Sequence, residues 1–537
     1  MVLSNSEFPR EQQLAPSNGE VERLQEETLY GYLRHWAVHQ GGSAAVVHGD
    51  QLITYEALER EVRSTAAGLA RLGVGKGDVV AAQLPNIPEF IITYLATCAL
   101  GGVFQPLHMP YRCSELRYLL RDSSAKIVVC LAEVKGELRA QQLVDLQQEL
   151  PKLEQVVVVG DWSVAGVVTM QDLRAENPLE PEAQISEEDL FLLLYTSGTT
   201  SKPKGVPIRY RAFLSNARLS LPELGITASD RLLSAAAMSH LYGLAHLHLA
   251  LIAGAAVVLL PEFSPEQFLE GVRCHAPTAV FAAPAHLISC LEGKLLRQGD
   301  FENTRFICFS GTRVPEHLAR KVDSLLPNGD VLQLWGMSEV QIGAFTRTTD
   351  TPYIRCATTG FASPGTELRV VGDGGRTLPA GEEGELEIRG DSVFQGYLNK
   401  PVETADAFTE DGWFRTGDMA VLGESGCLTI TGRSKEVINR GGVKYNPVEI
   451  ELLITEMDAI AQCAIVPLPD PVLGERACVV VVGNPGCEVT LEEIKAYLLR
   501  AEVAKYKWPE QLRLIDAMPL TPTRKVQKGI LIAQMQK

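Results

Sequence analysis

The sequence lacks any cysteine pattern that would build a disulfide framework or a zinc site. It has 11 cysteines among 537 residues, an odd number, and they are scattered without the paired spacing that such sites need. Thiols stay reduced in compartments that glutathione and thioredoxin keep reducing. We therefore expect free cysteines and a cytoplasmic protein.

The chain also lacks an excess of positive charge. Its 49 Lys and Arg residues stand against 66 Asp and Glu residues, which gives a formal net charge of −17 and an isoelectric point near 5.2. Nonspecific binding to nucleic acid or to an anionic membrane needs a basic surface. The composition argues against both partners, so an anionic ligand must bind at local basic positions.

Long hydrophobic runs are scarce. Residues 1–19 are polar and contain no apolar core, so they do not predict a secretory signal. The longest apolar stretch, 241–260, is interrupted by His246, His248 and Gly254. It predicts a helix followed by a strand and no membrane span, and we assign its two histidines no role.

The chain is rich in alternating strand-like and helical runs. A length of 537 residues with 46% hydrophobic residues predicts about three to four structural units. Alternation between residues 54 and 261 predicts βαβ units with parallel sheets, and hence the α/β class. Residues 366–431 have shorter strand-like runs and turns, which indicate a β-rich subdomain. After residue 433 a small α+β pattern begins.

One loop carries the strongest chemical signal. After an apolar run at 190–194, residues 195–205 read Tyr-Thr-Ser-Gly-Thr-Thr-Ser-Lys-Pro-Lys-Gly. Glycine lets backbone N–H groups approach an anion, hydroxyl groups donate further hydrogen bonds, and lysine adds charge. The loop is not a Walker A motif, because Pro203 interrupts it and a strand-like run at 205–208 follows. It predicts a polyphosphate-binding loop.

Two other segments place polar groups after apolar runs. In Trp-Gly-Met-Ser-Glu at 335–339, Glu339 is a candidate Mg²⁺ ligand and Ser338 a candidate phosphate contact. In Thr-Gly-Asp at 416–418, Asp418 is able to accept both hydroxyls of a ribose. The three segments together predict a nucleotide site.

These motifs resemble those of the adenylate-forming superfamily, the AMP-dependent ligases that include acyl-CoA synthetases. The family loop Tyr-Thr-Ser-Gly-Thr-Thr-Gly-x-Pro-Lys-Gly matches 195–205 except at Ser201. Residues 519–526 resemble the family segment Pro-x-x-x-x-Gly-Lys-[Val/Ile], with Arg524 in place of glycine. The matches follow family order from Tyr195 to Lys525, so the resemblance covers nearly the whole chain.

The resemblance implies an organisation and a reaction. The expected organisation is a large N-terminal domain, 1–434, of two βαβ subdomains plus a β-rich subdomain. A small mobile α+β domain, 435–537, is expected to follow, with Lys435 as the hinge. The implied reaction converts a carboxylic acid and ATP to acyl-AMP and pyrophosphate, and then transfers the acyl group to the thiol of coenzyme A. ATP, Mg²⁺ and coenzyme A are the implied cofactors.

The resemblance also implies roles for individual residues. The expected catalytic residues are Lys525, Glu339, His240 and Thr196. The expected ATP and AMP contacts are Thr196, Ser197, Gly198, Thr199, Thr200, Lys204, Gly311, Thr312, Trp335, Gly336, Met337, Ser338, Asp418 and Arg433. The expected contacts with the pantetheine arm of coenzyme A are Gly441, Gly442 and Lys444. Glu339 is the expected metal ligand, and Tyr397 matches a shorter motif without an assigned role.

Alternatives remain at this point. A stand-alone adenylating enzyme that loads the phosphopantetheine thiol of an acyl carrier protein would use the same residues. A non-catalytic nucleotide-binding regulator is disfavoured by intact Lys525, Glu339 and Asp418. His240 occupies the position where amino-acid-activating relatives have aspartate, which favours a plain carboxylic acid. The expected pocket walls favour an apolar acyl or aryl group, whereas the identity of the acid and the oligomeric state stay open.

Overall fold

The computed structural model describes residues 28–162, 166–174, 183–196, 202–440, 443–471, 473–521 and 525–535. Within these ranges the strands form four sheets, two of them large. The helices are Leu29–Gln40, Tyr55–Arg71, Pro88–Ala99, Cys113–Asp122, Arg139–Gln147, Met170–Leu173, Tyr210–Leu224, Leu241–Ala253, Pro265–His275, Pro284–Glu292, Glu316–Asp323, Pro352–Ala357, Pro401–Ala407, Val448–Ile454, Leu491–Arg500 and Lys528–Met535. Short 3₁₀ helices occupy Ser434–Glu436 and Lys505–Lys507.

The first large sheet has seven strands among the described residues and ends at the predicted polyphosphate loop. In spatial order its strands are Val167–Thr169, Gln155–Val159, Ile127–Leu131, Val79–Gln83, Val103–Pro106, Leu190–Thr196 and Lys204–Arg209. All neighbours are parallel except the last pair, which is antiparallel. The predicted parallel βαβ units are therefore confirmed. The antiparallel pair places Thr196 opposite Lys204 at the two ends of the loop.

The second large sheet has nine strands in the described part of the chain. In spatial order they are Phe361–Ala362, Gln341–Phe345, Asp330–Met337, Phe306–Phe309, Ala279–Ala282, Arg231–Ser234, Ala256–Val258, Ala44–His48 and Gln51–Thr54. The central strands are parallel, so the chain segments that follow Phe309 and Leu334 leave the same edge of the sheet. Such carboxyl ends are where ligands bind in open α/β sheets.

The two large sheets share a layer of helices. The largest hydrophobic cluster combines residues of both sheets with helices Tyr55–Arg71, Pro88–Ala99 and Leu241–Ala253. Helix Leu241–Ala253 is buried along its whole length, which explains why its apolar run is long without spanning a membrane. No helix in the described residues is long and apolar enough to cross a bilayer. Outer helices cover the remaining face of each sheet.

Local sequence signals set the start of these helices. Thr54 caps helix Tyr55–Arg71, and its Oγ1 accepts a hydrogen bond from the backbone N–H of Ala57 at 3.2 Å. This contact satisfies one of the backbone donors that a helix N-terminus leaves without a partner. The predicted cap at Thr54 is confirmed.

Two smaller sheets complete the described chain. The β-rich subdomain is a four-stranded antiparallel sheet of Thr366–Val371, Glu383–Gly390, Phe414–Leu422 and Leu428–Arg433. The C-terminal sheet contains Val443–Tyr445, Ile438–Arg440, Gly474–Gly483, Ile460–Asp470 and Gln511–Leu514. Helices Val448–Ile454 and Leu491–Arg500 pack against it around a separate core. The predicted β-rich and α+β parts are confirmed.

Candidate active site

The separate sequence motifs converge on one cavity of about 1920 Å³. It lies among both large sheets, the β-rich sheet and the C-terminal helix. The predicted site residues that line it are Thr196, Lys204, His240, Gly311, Thr312, Trp335, Gly336, Met337, Ser338, Glu339, Asp418, Arg433, Lys435 and Lys525. Ser197, Gly198, Thr199, Thr200, Gly441 and Gly442 lie outside the described residues, as does the side chain of Lys444.

Tyrosine hydroxyls hold the two ends of the polyphosphate loop. Before the loop, Tyr195 donates to Asp122 Oδ2 at 2.8 Å. After it, Tyr118 donates to the carbonyl oxygen of Pro203 at 2.9 Å. Both anchors therefore involve helix Cys113–Asp122, so the predicted loop is fixed at its base to a helix that packs on the first large sheet. The sequence motif contained Tyr195 but gave no hint of Asp122.

Glu339 is a buried carboxylate at the inner side of the cavity. Tyr397 donates to its Oε1 at 3.0 Å, and Lys204 Nζ lies 3.9 Å from the centroid of the Tyr397 ring. Burial raises the pKa of Glu339, although hydrogen bonds and the charges of Arg433 and Lys204 counteract part of this effect. A cation near the carboxylate would stabilise its ionised form.

Asp418 is also buried, and both of its oxygens have partners. Trp335 Nε1 donates to Oδ2 at 2.8 Å, and Arg433 Nε lies 2.7 Å from Oδ1. The backbone N–H of Asp418 donates to Thr416 Oγ1 at 3.0 Å. Burial raises the pKa of this carboxyl, while Arg433, Trp335 and Lys525 favour its ionised form. The structure thus joins three predicted residues at one carboxylate.

Lys525 reaches this cavity from the C-terminal part of the chain. Its backbone N–H donates to Thr521 Oγ1 at 3.0 Å, and its carbonyl accepts from the N–H of Thr521 at 2.8 Å. Desolvation lowers the pKa of Lys525, and Arg433 lowers it further, whereas Asp418 and Glu339 oppose the shift. An incoming anion would therefore stabilise the charged ammonium form of Lys525.

His240 and His108 form a neutral imidazole pair beside the cavity. Their rings are stacked with centroids 6.4 Å apart. Desolvation, together with the charges of Lys525 and His108, lowers the pKa of His240 to about 3. His240 Nδ1 accepts from the backbone N–H of Tyr242 at 3.2 Å, so the neutral ring carries its proton on Nε2. At neutral pH the ring is therefore uncharged, and its Nε2–H is a hydrogen-bond donor.

Backbone shape matters at two glycines of the cavity wall. Gly311 has a φ of 94°, which side chains other than glycine rarely adopt. At Gly336 a Cβ atom would lie 2.0 Å from the carbonyl oxygen of Gln341. Both positions keep the wall thin where the resemblance expects the adenine.

Sequence reasoning missed several residues of this cavity. Tyr397 had a motif but no role, and His108 had no signal, although it lines the cavity and its Nδ1 lies 2.8 Å from Ser239 Oγ. His248, which was assigned no role, is buried and lines the same cavity. Its Nε2 lies 3.0 Å from the hydroxyl of Tyr94. Only the folded chain brings these distant positions together.

The described residues contain no cluster of three or more His, Cys, Asp or Glu side chains suited to a metal ion. Glu339 is therefore not part of such a cluster among these residues. Mg²⁺ commonly binds through one or two carboxylates together with substrate phosphates and water. The donor set fits that mode, because the Tyr397 hydrogen bond engages only Oε1 of Glu339.

Comparisons with known proteins agree with this geometry. Residues 33–398 match the AMP-binding enzyme family, and residues 449–525 match the AMP-binding enzyme C-terminal domain. The medium-chain fatty-acid–CoA ligase of Escherichia coli (strain K12) is 33% identical over 485 residues, which cover 89% of this chain and 85% of that protein. A salicylyl-CoA synthase / salicylate adenylyltransferase of Streptomyces sp is 33% identical over 513 residues, with 93% and 92% covered.

A solved structure extends the similarity to three dimensions. ATP-bound MatB from Rhodopseudomonas palustris superposes with a TM-score of 0.86 at 26% sequence identity, covering 95% of this chain and 99% of that one. The expected fold is thereby confirmed over nearly the full length. The chain therefore belongs to the AMP-binding enzyme family and is an AMP-forming acid–thiol ligase, which activates a carboxylic acid as its acyl-adenylate and transfers the acyl group to coenzyme A.

Proposed function

We propose that this ligase activates a carboxylic acid with an apolar acyl or aryl group and that Lys525 is its catalytic cation. The observation that carries the proposal is the position of Lys525, which lies in one cavity with Glu339 and Asp418. These residues come from distant parts of the chain and provide a cation, a candidate metal ligand and a candidate ribose ligand. The arrangement suits the first half-reaction.

In that half-reaction an oxygen of the acid attacks the α-phosphorus of ATP. The bond between this phosphorus and the bridging oxygen breaks, and pyrophosphate leaves with that oxygen. Lys525 stabilises both reacting anions, and Lys204 with residues 196–200 holds the β- and γ-phosphates. Positioning and charge stabilisation supply most of the rate in such transfers.

The nucleoside has its own group of residues in this proposal. Asp418 accepts the ribose hydroxyls, and Arg433 adds a second contact. The adenine and α-phosphate contacts are assigned to Gly311, Thr312, Trp335, Gly336, Met337 and Ser338. The direct bond from Trp335 to Asp418 supports this assignment, because it links the wall for the base to the carboxylate for the sugar.

Glu339 is the proposed Mg²⁺ ligand. Bound Mg²⁺ supplies positive charge that neutralises the phosphate oxygens. The contribution of the chain is orientation, because Tyr397 donates a hydrogen bond to one oxygen of Glu339. Lys204 stands over the same tyrosine ring and adds positive charge close by.

The second half-reaction needs a different face of the small domain. We place the domain boundary between residues 434 and 435, with the exposed Lys435 as hinge. Arg440 and Val443, which flank Gly441 and Gly442, do not line the cavity that holds Lys525. A rotation about Lys435 would withdraw Lys525 and bring Gly441, Gly442 and Lys444 to the pantetheine thiol.

The walls near His240 favour an apolar acid. Leu241, Ala245, Leu249 and Ile342 line the cavity there. Nε2–H of the neutral His240 is positioned to orient the acid without forming a fixed ion pair. The small-molecule acid, coenzyme A and a cytoplasmic location are the proposed partners and setting, and the 11 unpaired cysteines fit a reducing compartment.

ATP–pyrophosphate exchange with a panel of acids tests the proposal. Alkanoates of increasing length and substituted benzoates are supplied with Mg²⁺, and the best acid is then tested with coenzyme A and with a phosphopantetheinylated carrier protein. We expect exchange with an uncharged acyl or aryl group and thioester formation with coenzyme A. Exchange confined to dicarboxylates or amino acids would contradict the proposed acid. Transfer only to the carrier would contradict the proposed acceptor.

A further inference from the structure

A second lysine follows Lys525 after three positions and lies between two carboxylates. Lys528 Nζ is 2.7 Å from Glu436 Oε2 and 2.8 Å from Glu451 Oε1. Its side chain is only 14% exposed. Neither the sequence motifs nor the proposed chemistry uses this group. Burying charged groups carries a large desolvation cost. A largely buried lysine with two anionic partners therefore calls for a structural or functional explanation.

The two carboxylates belong to different elements. Glu436 ends the short 3₁₀ helix Ser434–Glu436, which contains the proposed hinge. Glu451 lies on helix Val448–Ile454, and its Oε1 also accepts from the backbone N–H of Ile465 at 2.5 Å. Lys528 begins the C-terminal helix Lys528–Met535. One ammonium group thus joins the hinge segment, a helix of the small domain and the end of the Lys525 loop.

The loop that carries Lys525 is closed by local bonds at its base. The N–H of Gln527 donates to the carbonyl of Pro519 at 2.8 Å, and Gln527 Nε2 donates to the carbonyl of Leu520 at 2.7 Å. These bonds hold the loop to itself but not to the hinge. Lys528, the next residue, provides the link to the hinge through Glu436. This ion pair therefore links the loop directly to the hinge segment, in addition to the packing of Met518, Val526 and Leu531 in the core of the small domain.

The charge balance keeps this link in its ionic form. Desolvation alone would lower the pKa of Lys528, but Glu451 and Glu436 outweigh it and raise the pKa above its ordinary value. Glu451 is 14% exposed and Glu436 is 33% exposed, so solvent screens these pairs less than it screens a surface salt bridge. Lys528 therefore keeps its positive charge to a higher pH than an unperturbed lysine does.

We propose that Lys528 is a positioning residue for the adenylation step. Its bridge to Glu436 and Glu451 fixes the Lys525 loop to the residue that directly follows the hinge, so rotation about Lys435 delivers the Lys525 ammonium to a defined place. The inference rests on the proposed roles of Lys525 and Lys435. All three members of the bridge lie after residue 434, so the bridge moves with the small domain and is not broken by the rotation.

Glu436→Gln is the decisive variant. It removes the link to the hinge but leaves Lys528 paired with Glu451, so no buried ammonium is left without a carboxylate. We expect the maximal rate of ATP–pyrophosphate exchange to fall about tenfold or more, as for the loss of a close, partly buried ion pair, with KM for ATP unchanged. Thioester formation from supplied acyl-adenylate and coenzyme A should stay near the wild-type rate. Equal loss in both half-reactions would overturn the proposal.

Double variants separate positioning from a merely structural effect. Because Glu436 acts through Lys525, Glu436→Gln should cost nothing further in a Lys525→Ala background. Multiplicative losses would contradict the inference. Lys528→Arg should keep most of the exchange rate, while Lys528→Met should lose at least as much as Glu436→Gln. If Lys525→Ala itself left exchange intact, the proposed function would fail instead, which distinguishes the two failures.

A matched control accounts for lost stability. Lys126 Nζ lies 2.9 Å from Asp78 Oδ2 with a side chain that is 20% exposed, and it does not line the cavity. Lys126→Met therefore removes a comparable partly buried lysine pair from the large domain. We expect it to change the thermal midpoint without separating the two half-reactions. A selective loss of exchange in Lys126→Met would show that the readout does not isolate positioning.

Discussion

Lys525 and Lys528 lie on the same short segment, yet their surroundings shift their pKa values in opposite directions. Desolvation and Arg433 lower the pKa of Lys525, whereas two close carboxylates raise that of Lys528. Lys525 meets its anionic neighbours across the proposed domain boundary, and Lys528 finds both carboxylates within the small domain. The ammonium group of Lys525 must leave its anionic neighbours when the small domain rotates, whereas that of Lys528 moves together with its two carboxylates.

The same contrast extends to the boundary between the domains. His317 Nδ1 and Glu456 Oε1 face each other across it at 3.5 Å, and their side chains are 46% and 40% exposed. Exposed pairs of this kind contribute little stability. By comparison, Lys528 is held by two carboxylates at distances below 3 Å. Weak contacts between domains and strong contacts within one are what a rotating module requires.

The largest expected effect comes from removing the positive charge of Lys525. Lys525→Ala should lower ATP–pyrophosphate exchange about 10²–10³-fold, because it deletes a cation that stabilises charge in the transition state. Thioester formation from supplied acyl-adenylate should continue near the wild-type rate. Rapid-quench measurements of both half-reactions check this. Equal losses would contradict the assignment of separate faces of the small domain to the two steps.

The next effect concerns the rotation between the two states. Lys435→Pro fixes φ at the proposed hinge and should slow thioester formation about tenfold or more, while pyrophosphate exchange is largely retained. Lys435→Ala, which keeps backbone freedom, is the matched control and should resemble the wild type. Single-turnover assays from preformed acyl-adenylate give the measurement. A parallel loss in exchange would place the hinge elsewhere.

A pH profile sharpens the contrast between the two lysines. The pKa of Lys525 is lowered from its ordinary 10.5, so its charge is lost at a lower pH than that of an unperturbed lysine. As pH rises through that lowered pKa, Lys525 loses its proton and its positive charge. Because adenylation needs that charge, kcat/KM for adenylation should fall. Lys528, shifted upward, should not contribute to this limb. The profile should flatten in Lys525→Ala, and an unchanged alkaline limb would assign it to another group.

The sequence predicted local elements better than their long-range partners. Periodicity predicted alternating helices and strands between residues 54 and 261, because side-chain spacing is a local property, but it did not locate helix Arg139–Gln147 or strand Arg231–Ser234. The hairpin Ala44–His48 and Gln51–Thr54 joins the second large sheet beside Ala256–Val258, about 200 residues away, and no local pattern specifies that pairing. The hydrogen bond from Trp335 to Asp418 likewise joins two residues that no local pattern pairs.

Site residues followed the same rule. Glu339 and Asp418 were predicted because each lies in a motif with its own chemistry, and Lys525 because its segment resembles a family motif. Lys528 gave no signal, since a lysine near a C-terminus is ordinarily a solvated charge. Its significance comes from the approach of Glu436 and Glu451, which only the folded chain provides.

The smallest expected effect comes from Tyr397, which belongs to the large domain. Its hydroxyl is bonded to Glu339 and its ring lies beneath Lys204, so Tyr397→Phe keeps the ring contact and removes one hydrogen bond. We expect adenylation to fall about two- to tenfold, the range for one hydrogen bond, with a higher Mg²⁺ requirement because Glu339 is less well oriented. Titrating Mg²⁺ in the exchange assay measures this. Because Tyr397 belongs to the large domain, thioester formation from acyl-adenylate should be unaffected, and a loss there would mean that Glu339 serves both orientations.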